Sequence, residues 1–151
     1  SLGMADRLKE LAENRVFHLM TEEQIREAAA SGVDIQLHTH THRMHGFDLM
    51  RVGSEIERNR LEIARITGRL PSALRHFCYP SGVHAHVAFD TLRMHGVVSA
   101  TTTEFGLVKQ SDDRMSLSRI LDCESLSQLG FEARISGLWS LLKSTKVRRA
   151  V

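Results

Sequence analysis

The sequence predicts an α/β domain in which parallel strands alternate with helices. Segments rich in β-branched residues, such as 33–38 and 97–101, are separated by stretches with the apolar spacing of helices. Such alternation favours parallel strands joined by right-handed crossovers. The 151 residues are 42% hydrophobic and 25% charged, which is ordinary for a single globular domain. This length excludes a complete (β/α)8 barrel, which needs about 200 residues or more.

The first part of the chain predicts two helices and then a strand. Residues 4–14 have apolar side chains at helical spacing. A second helix begins after Thr21, because Gln24 follows three residues later as in a capping box, and Gly32 ends it. The segment 33–38 alternates apolar and polar residues, which predicts the first strand.

The middle of the chain predicts a long helix, a second strand and a tight turn. The helix covers about 53–67, where Ser54 and Glu57 form a second capping-box pattern. The second strand covers 74–79 and leads into the turn Pro80-Ser81-Gly82.

The remaining elements continue the alternation. A helix is predicted over about 84–95 and a third strand over 97–101, followed by a polar loop that reaches Met115. A short fourth strand is predicted over 117–121 and a last amphipathic helix over about 125–142.

Chemistry is expected where the predicted strands end. Ligand sites in parallel sheets lie at the carboxyl ends of the strands. In this chain those ends are His38, the segment 79–82 and the threonines at 101–103.

Charge and hydropathy exclude two classes of partner. Twenty Lys and Arg residues oppose 18 Asp and Glu residues, and no basic block is longer than Arg148-Arg149, so we expect no nucleic-acid binding. No stretch approaches the ~18 consecutive apolar residues of a membrane span. The charged start at residues 4–7 is unlike a signal peptide, which favours a cytoplasmic protein. We interpret Ser1-Leu2-Gly3 as a cloning remnant and 4–151 as one domain.

Three histidines alternate with two threonines over residues 38–42. In an extended strand His38 and His42 would lie ~13 Å apart, too far for one metal ion. If the chain turns helically there, the two come within ~6 Å and can bind one Zn²⁺, while His40 points elsewhere. Thr39 could then fix a ring or a backbone group with its hydroxyl. The alternative is a polar strand end with solvent-exposed histidines.

The segment His38-Thr39-His40-Thr41-His42 resembles the His-Ser/Thr-x-x-His motif of polysaccharide deacetylases. These are the NodB-homology enzymes of carbohydrate esterase family four. The segment His76-Phe77-Cys78-Tyr79-Pro80-Ser81-Gly82 is similar to the next motif of the family, in its Tyr-Pro-x-Gly form. Residues 97–106 and Leu117-Ser118-Arg119-Ile120 look like the strands that follow, so the resemblance covers about residues 20–142.

The resemblance implies a partial (β/α) barrel of the NodB type, with parallel strands, flanking helices and the first strands missing. It implies a divalent metal, most simply zinc, held by His38, His42 and one Asp, with the second Asp of an Asp-Asp pair as base. The family's substrate is an acetylated polysaccharide, from which it removes acetyl groups bound through nitrogen or oxygen.

The remaining site residues also follow from the resemblance. The backbone N–H of Ser81 is the implied oxyanion donor, and Tyr79 and Pro80 act with it in shaping the acetyl pocket. Gly82 and the motif residue Thr39 are the implied substrate contacts.

Several family features have no counterpart at the expected positions. The Asp-Asp pair belongs before His38, where only the isolated Asp6 and Asp34 occur, and Asp112-Asp113 lies downstream in a predicted loop. Cys78 stands where many relatives carry Arg, with Arg75 three residues too early. No Leu-x-His near the carboxyl terminus supplies a general acid, although His84 or His86 could approach the site.

Whether the chain is an active enzyme stays open at this point. We expect an N-terminally incomplete deacetylase domain with impaired hydrolase activity and weak zinc binding. The alternatives are a non-catalytic remnant that acts as an assembly or binding module, and a plain α/β domain without metal. A truncated barrel has two open sheet edges and an uncovered apolar face, so we also expect a homodimer.

Overall fold

The computed structural model describes residues 19–121, 123 and 125–138. Along the chain it contains α1 (Glu22–Ala30), α2 (Leu49–Thr67), β1 (His76–Cys78), α3 (Phe89–Met94), β2 (Ser99–Phe105), β3 (Leu117–Arg119) and α4 (Gln128–Ile135). Short 3-10 turns lie at His45–Phe47, Pro71–Ala73, Pro80–Gly82 and His86–Ala88. The helix predicted at 4–14 and the end of the last predicted helix, 139–142, lie outside the described residues.

The three strands form a parallel sheet in the order β1-β2-β3. Phe77 pairs with Ala100 between β1 and β2, and Phe105 pairs with Arg119 between β2 and β3 after an irregularity. Leu37 adds one isolated parallel bridge to Phe77. The predicted α/β class with parallel strands and flanking helices is therefore confirmed.

The strand predicted at 33–38 is reduced to that single bridge at Leu37. The Gln36 side chain explains the shortening, because its Oε1 accepts the backbone N–H groups of Arg75 and His76, both at 3.0 Å. Its Nε2 donates in turn to Asp34. The Gln36 side chain thus accepts backbone N–H groups of the neighbouring segment that would otherwise be available to backbone carbonyls of a regular strand over 33–38.

Two predicted helix starts also need correction. α2 begins at Leu49 rather than Gly53, because Asp48 caps it by accepting the N–H of Arg51. The segment predicted as a helix over 84–95 is a 3-10 turn followed by the short α3.

The predicted strand and carboxyl-terminal helix boundaries shift as well. β1 is confined to His76–Cys78 within the predicted 74–79, and β2 runs from Ser99 to Phe105 instead of 97–101. The Thr-rich segment 101–105 was predicted as strand end and loop, but it pairs with β3 and continues β2. β3 ends at Arg119, and α4 begins at Gln128 after the cap Ser127 and ends at Ile135.

The core lies between the sheet and helices α2 and α3. α2 buries Val52 and Ile56, which are fully inaccessible, as are Leu74 and Leu92. The buried Arg60 of α2 donates to the carbonyls of Leu74 and His95 and pairs with Glu57. The remaining core members are Leu37, Met44, Ile63, Phe77, Tyr79, Ala88, Phe89, Val97, Ala100 and Met115. This packing fixes α2 beside the strand ends.

None of the helices in the described ranges combines the length and the apolar character needed to cross a bilayer.

Candidate active site

The loop 38–42 turns sharply after the bridge residue Leu37. Thr39 and His42 both adopt the left-handed region, at φ 64° and 58°. As a result the ring centroids of His38 and His42 lie 4.8 Å apart, with an interplanar angle of 64°. The structure therefore has the turned alternative and not the extended one, although two left-handed residues produce the turn rather than a helix.

Helix α2 holds this loop by its backbone. Asn59 Oδ1 accepts the N–H of His38 at 2.9 Å, and the buried Glu55 accepts the N–H of Thr41 at 2.6 Å. The two side chains stand four residues apart on one helix face. The hydroxyl of the buried Thr39 accepts the N–H of Arg43 at 3.1 Å, so it fixes a backbone group and not a ring.

One ring nitrogen of His38 is engaged by the backbone of β1. Nδ1 lies 2.7 Å from the carbonyl oxygen of Cys78. Because a carbonyl only accepts, Nδ1 carries the proton, and Nε2 keeps its lone pair, as in most metal-bound histidines. Burial lowers the pKa of His38, the Cys78 carbonyl opposes this, and the charges of His42 and Arg119 lower the pKa further. The neutral imidazole is therefore favoured.

The described residues bring two imidazoles together, those of His38 and His42. A catalytic zinc site normally has three protein ligands and one open position. Over residues 19–121, 123 and 125–138, no group of three His, Cys, Asp or Glu side chains is arranged to hold a metal ion. Imidazole is a ligand type that suits a divalent ion such as zinc, and in the described ranges no third His, Cys, Asp or Glu side chain completes the set.

The turn Pro80–Gly82 follows β1 directly. Ser81 is left-handed at φ 54°, and Gly82 at φ 71°. The N–H of Gly82 donates to Tyr79 at 2.9 Å and that of Val83 donates to Pro80 at 3.1 Å. These two bonds close the turn without using the N–H of Ser81.

Glycine is required at position 82 by a close neighbour. A Cβ there would lie 2.0 Å from Thr103 Oγ1 and 2.8 Å from Thr103 Cβ. β2 therefore presses against the turn, which ties the turn's position to the sheet.

Tyr79 belongs to the core. It is 1% exposed, its hydroxyl donates to the Met115 carbonyl at 2.8 Å, and its ring packs edge-on against Phe77. Burial raises the pKa of this phenol. The side chain therefore anchors the start of the turn from inside the domain.

Two histidines that could supply a general acid lie near the turn in different settings. His84 Nδ1 is 3.0 Å from the Gly82 carbonyl, and its Nε2 is 3.8 Å from Glu104. His86 packs instead on the ring of Phe89 at 4.7 Å. Of the two, only His84 contacts the turn.

Four aspartates that could stand in for the family's base are held by other contacts. Asp34 pairs with Arg69 at 2.6 Å, and Asp48 caps α2. Asp112 accepts the N–H of Lys109 at 2.8 Å, and Asp113 pairs with Arg93 at 3.1 Å. Each of these aspartates therefore has a structural role where it stands.

Sequence reasoning missed three groups that the structure brings to this region: Asn59, Glu55 and Arg119. The sequence did contain a sign of Glu55 and Asn59, because both are polar residues on the face of α2 that also carries the buried Ile56. The sequence places Arg119 within the short predicted strand 117–121, but it gives no sign that its side chain contacts Cys78.

Comparison with known proteins identifies the family. The model of a family described as polysaccharide deacetylase matches residues 7–100, more than half of the chain. No match was found among curated proteins.

Solved structures of deacetylases share the fold. The Streptococcus pyogenes deacetylase PplD, in complex with acetate, superposes with a TM-score of 0.70 at 18% identity over 84% of this chain. A polysaccharide deacetylase from Bacillus cereus gives 0.67 at 19% over 80%, and a de-N-acetylase from Aggregatibacter actinomycetemcomitans gives 0.60 at 18% over 76%.

The chain spans only 55%, 38% and 52% of the lengths of these three proteins. The parallel sheet and flanking helices of this chain match the NodB-type fold of these deacetylases. The matched family model and the shared fold agree with the two motifs at the strand ends. The chain therefore belongs to the polysaccharide deacetylase family.

Proposed function

We propose that this chain is part of a metal-dependent hydrolase that removes acetyl groups from a polysaccharide. The observation that carries the proposal is the convergence of His38 and His42, whose rings lie 4.8 Å apart. His38 is anchored to Cys78, the residue before the motif Tyr79-Pro80-Ser81-Gly82. A pair of imidazoles next to a turn with a free backbone donor suits acyl transfer.

Each residue has a defined part in this proposal. His38 and His42 would hold a divalent ion, with zinc the simplest choice for imidazole ligands. Such an ion polarises an acetyl carbonyl and lowers the pKa of a bound water. The Ser81 N–H donates to the oxyanion as the carbonyl becomes tetrahedral. Pro80 and Tyr79 fix the turn, and Thr39 and Gly82 line the acetyl contact.

The buried carboxylate of Glu55 borders the histidine loop but is held by the N–H of Thr41, and we assign no general base among the described residues. Asp34 and Asp48 are held by other contacts. A missing general base costs about 10²–10⁴-fold in rate. We therefore propose that the chain alone is a strongly impaired deacetylase.

The experiment that tests the function is acetate release by the full chain. With zinc and an activated acetyl ester we expect slow, metal-dependent release, and with acetylated chitooligosaccharides release near background. His38→Ala/His42→Ala should remove the metal-dependent part, whereas the matched pair His40→Ala/His76→Ala, two exposed histidines, should keep it. Equal rates for the two double variants would contradict the assignment. Rapid turnover of the oligosaccharide would show that a base is present after all.

A non-catalytic assembly or binding module is the second candidate. It is favoured by one observation, that no third metal ligand accompanies the histidine pair in the described ranges. Complete lack of metal-dependent ester cleavage, together with a stable oligomer, would select this candidate.

We propose that the chain forms a homodimer. Leu37 makes only one bridge at its edge of the sheet, and apolar side chains such as Val33 and Val108 are more than half exposed. Open strand edges and exposed apolar residues favour pairing with a second copy. Light scattering at low micromolar concentration should give a mass of about twice 17.0 kDa. The interface between the two copies should bury more than ~1,000 Å². A stable 17.0 kDa species would contradict it.

A further inference from the structure

A cavity of about 380 Å³ lies between α2 and α3, and it shares no residue with the candidate active site. Met50, Gly53 and Glu57 of α2 line one side of it, and Met94 and His95 line the other. The α2 residues are spaced by three and four positions, so they follow one face of the helix. The wall of the cavity therefore contains two thioethers, one imidazole and one carboxylate.

The imidazole of His95 is held in a fixed position. Its Nδ1 lies 2.8 Å from Glu57 Oε1, its backbone N–H donates to Thr91 at 3.1 Å, and its carbonyl accepts from the buried Arg60. Burial raises the pKa of Glu57, but the hydrogen bond to His95 and the charge of Arg60 outweigh burial and leave the pKa lowered. The ionised carboxylate accepts the Nδ1 proton, as in carboxylate–histidine–metal arrangements.

The other ring nitrogen of His95, Nε2, lies against α2 at Gly53. A Cβ on that glycine would be 2.5 Å from Nε2, and no hydrogen bond among the described residues uses this nitrogen. Because Nδ1 contacts Glu57, one helical turn after Gly53, the ring points back toward the amino end of α2, where Met50 stands. Side chains three positions apart on a helix have Cβ atoms ~5–6 Å apart, so the Met50 sulfur can approach Nε2.

The two methionine side chains have room to turn toward this nitrogen. Met50 and Met94 are 86% and 79% exposed, and a methionine side chain has three rotatable bonds. The neighbouring Arg51 and Arg93 are each paired with an aspartate. Their charges are therefore compensated, and a cation in the cavity meets no unpaired guanidinium from either neighbour.

We propose that Met50, Met94 and His95 form a binding site for a soft monovalent metal ion, copper(I). Thioether sulfur is a soft ligand that favours Cu⁺, and imidazole also binds copper. Glu57 fixes the imidazole from its far side, and Gly53 leaves the space beside Nε2 open. The site is independent of the proposed deacetylase function.

The test is titration of the full chain with Ag⁺, a redox-stable probe for Cu⁺, followed by the ¹³C ε-methyl NMR signals of the methionines. Cys78→Ser/Cys123→Ser is the background, because free thiols compete for the ion and neither lines this cavity. We expect the Met50 and Met94 signals to shift together and to saturate at one equivalent. The signal of Met20, which is 55% exposed and lies outside the cavity, should stay in place. Cu⁺ under anaerobic reducing conditions should move the same two signals, and Zn²⁺ should not.

Single variants in that background give the affinity through a local signal. Met50→Leu, followed at Met94, and Met94→Leu, followed at Met50, should each raise the Ag⁺ concentration at half-saturation at least tenfold, whereas Met20→Leu should leave it unchanged. Gly53→Ala should weaken binding to a similar extent although it removes no ligand, because its Cβ would occupy the place beside Nε2. Far-UV circular dichroism checks that each variant is folded.

The proposal is overturned if the Met50 and Met94 signals shift no more than that of Met20, or if Zn²⁺ moves them as Ag⁺ does. It is also overturned if the folded Met50→Leu and Met94→Leu variants bind as Met20→Leu does. Because the readout uses neither turnover nor the histidine pair, failure of the deacetylase assay leaves its result unaffected.

Discussion

Zinc binding by the full chain is expected to disappear when His38 and His42 are both replaced by alanine. Their rings converge at 4.8 Å, and the Nδ1 contact of His38 leaves Nε2 for the ion. Since the described ranges add no third ligand, the wild-type affinity should be far below that of structural zinc sites, which bind with about 10–16 kcal/mol. Isothermal calorimetry at pH 7.5 measures both quantities.

The matched control is His40→Ala/His76→Ala, which removes two imidazoles that lie outside the pair. Its isotherm should overlay that of the wild type, and the ¹⁵N shifts of His38 and His42 should move on adding zinc. Identical isotherms for the two double variants would remove the metal assignment. Affinity typical of a three-ligand site would instead show that a further ligand joins the pair.

Replacing Gly82 by alanine should destabilise the domain by about 2–4 kcal/mol. Two effects add: the left-handed φ of 71° is unfavourable for a residue with Cβ, and the new Cβ would meet Thr103 Oγ1 at 2.0 Å. This is a large part of the roughly 5–15 kcal/mol by which domains are stable. Urea unfolding followed by circular dichroism gives the difference in free energy.

Two further variants separate the causes. Thr103→Gly removes the side chain that the new Cβ would meet. In this background Gly82→Ala should therefore cost less free energy of unfolding than in the wild type, and the remaining cost is that of the left-handed backbone. Gly53→Ala should cost less than Gly82→Ala, because position 53 lies inside α2, where alanine is favoured over glycine, and its Cβ meets only the His95 side chain, which must shift from its 2.8 Å contact with Glu57. Equal losses for Gly53→Ala and Gly82→Ala would contradict this account of the turn.

The fold could be predicted where the signal is local. The capping box of Thr21 and Gln24 forms with both bonds, and Gly68 ends α2 at φ 70°. The extent of the strands could not be predicted in the same way, because it depends on pairing with segments that are distant in the sequence. Before Leu37, the Gln36 side chain bonds the neighbouring backbone in place of a regular strand. After Thr101, pairing with β3 keeps a threonine-rich segment in β2, although its composition is typical of a loop.

The same division applies to the candidate site. The His38–His42 spacing and the Pro80-Ser81-Gly82 turn are visible as motifs, and their placement at strand ends follows from the alternation of elements. The contacts that orient them join His38 to Asn59 and to Cys78, 21 and 40 residues away. Such contacts exist only once α2 and β1 have packed, so local periodicity carries no trace of them.

The left-handed residues Thr39, His42 and Ser81 have a consequence for engineering the protein. Each such conformation costs a non-glycine residue about 1–3 kcal/mol, and all three lie in the two loops that form the candidate site. Glycine would relieve the backbone at any of them, but it would remove an imidazole at 42 and the loop-fixing hydroxyl at 39. The trade-off between thermal stability and activity is therefore concentrated in these loops, and stabilising substitutions are best sought on the exposed faces of α1 and α2.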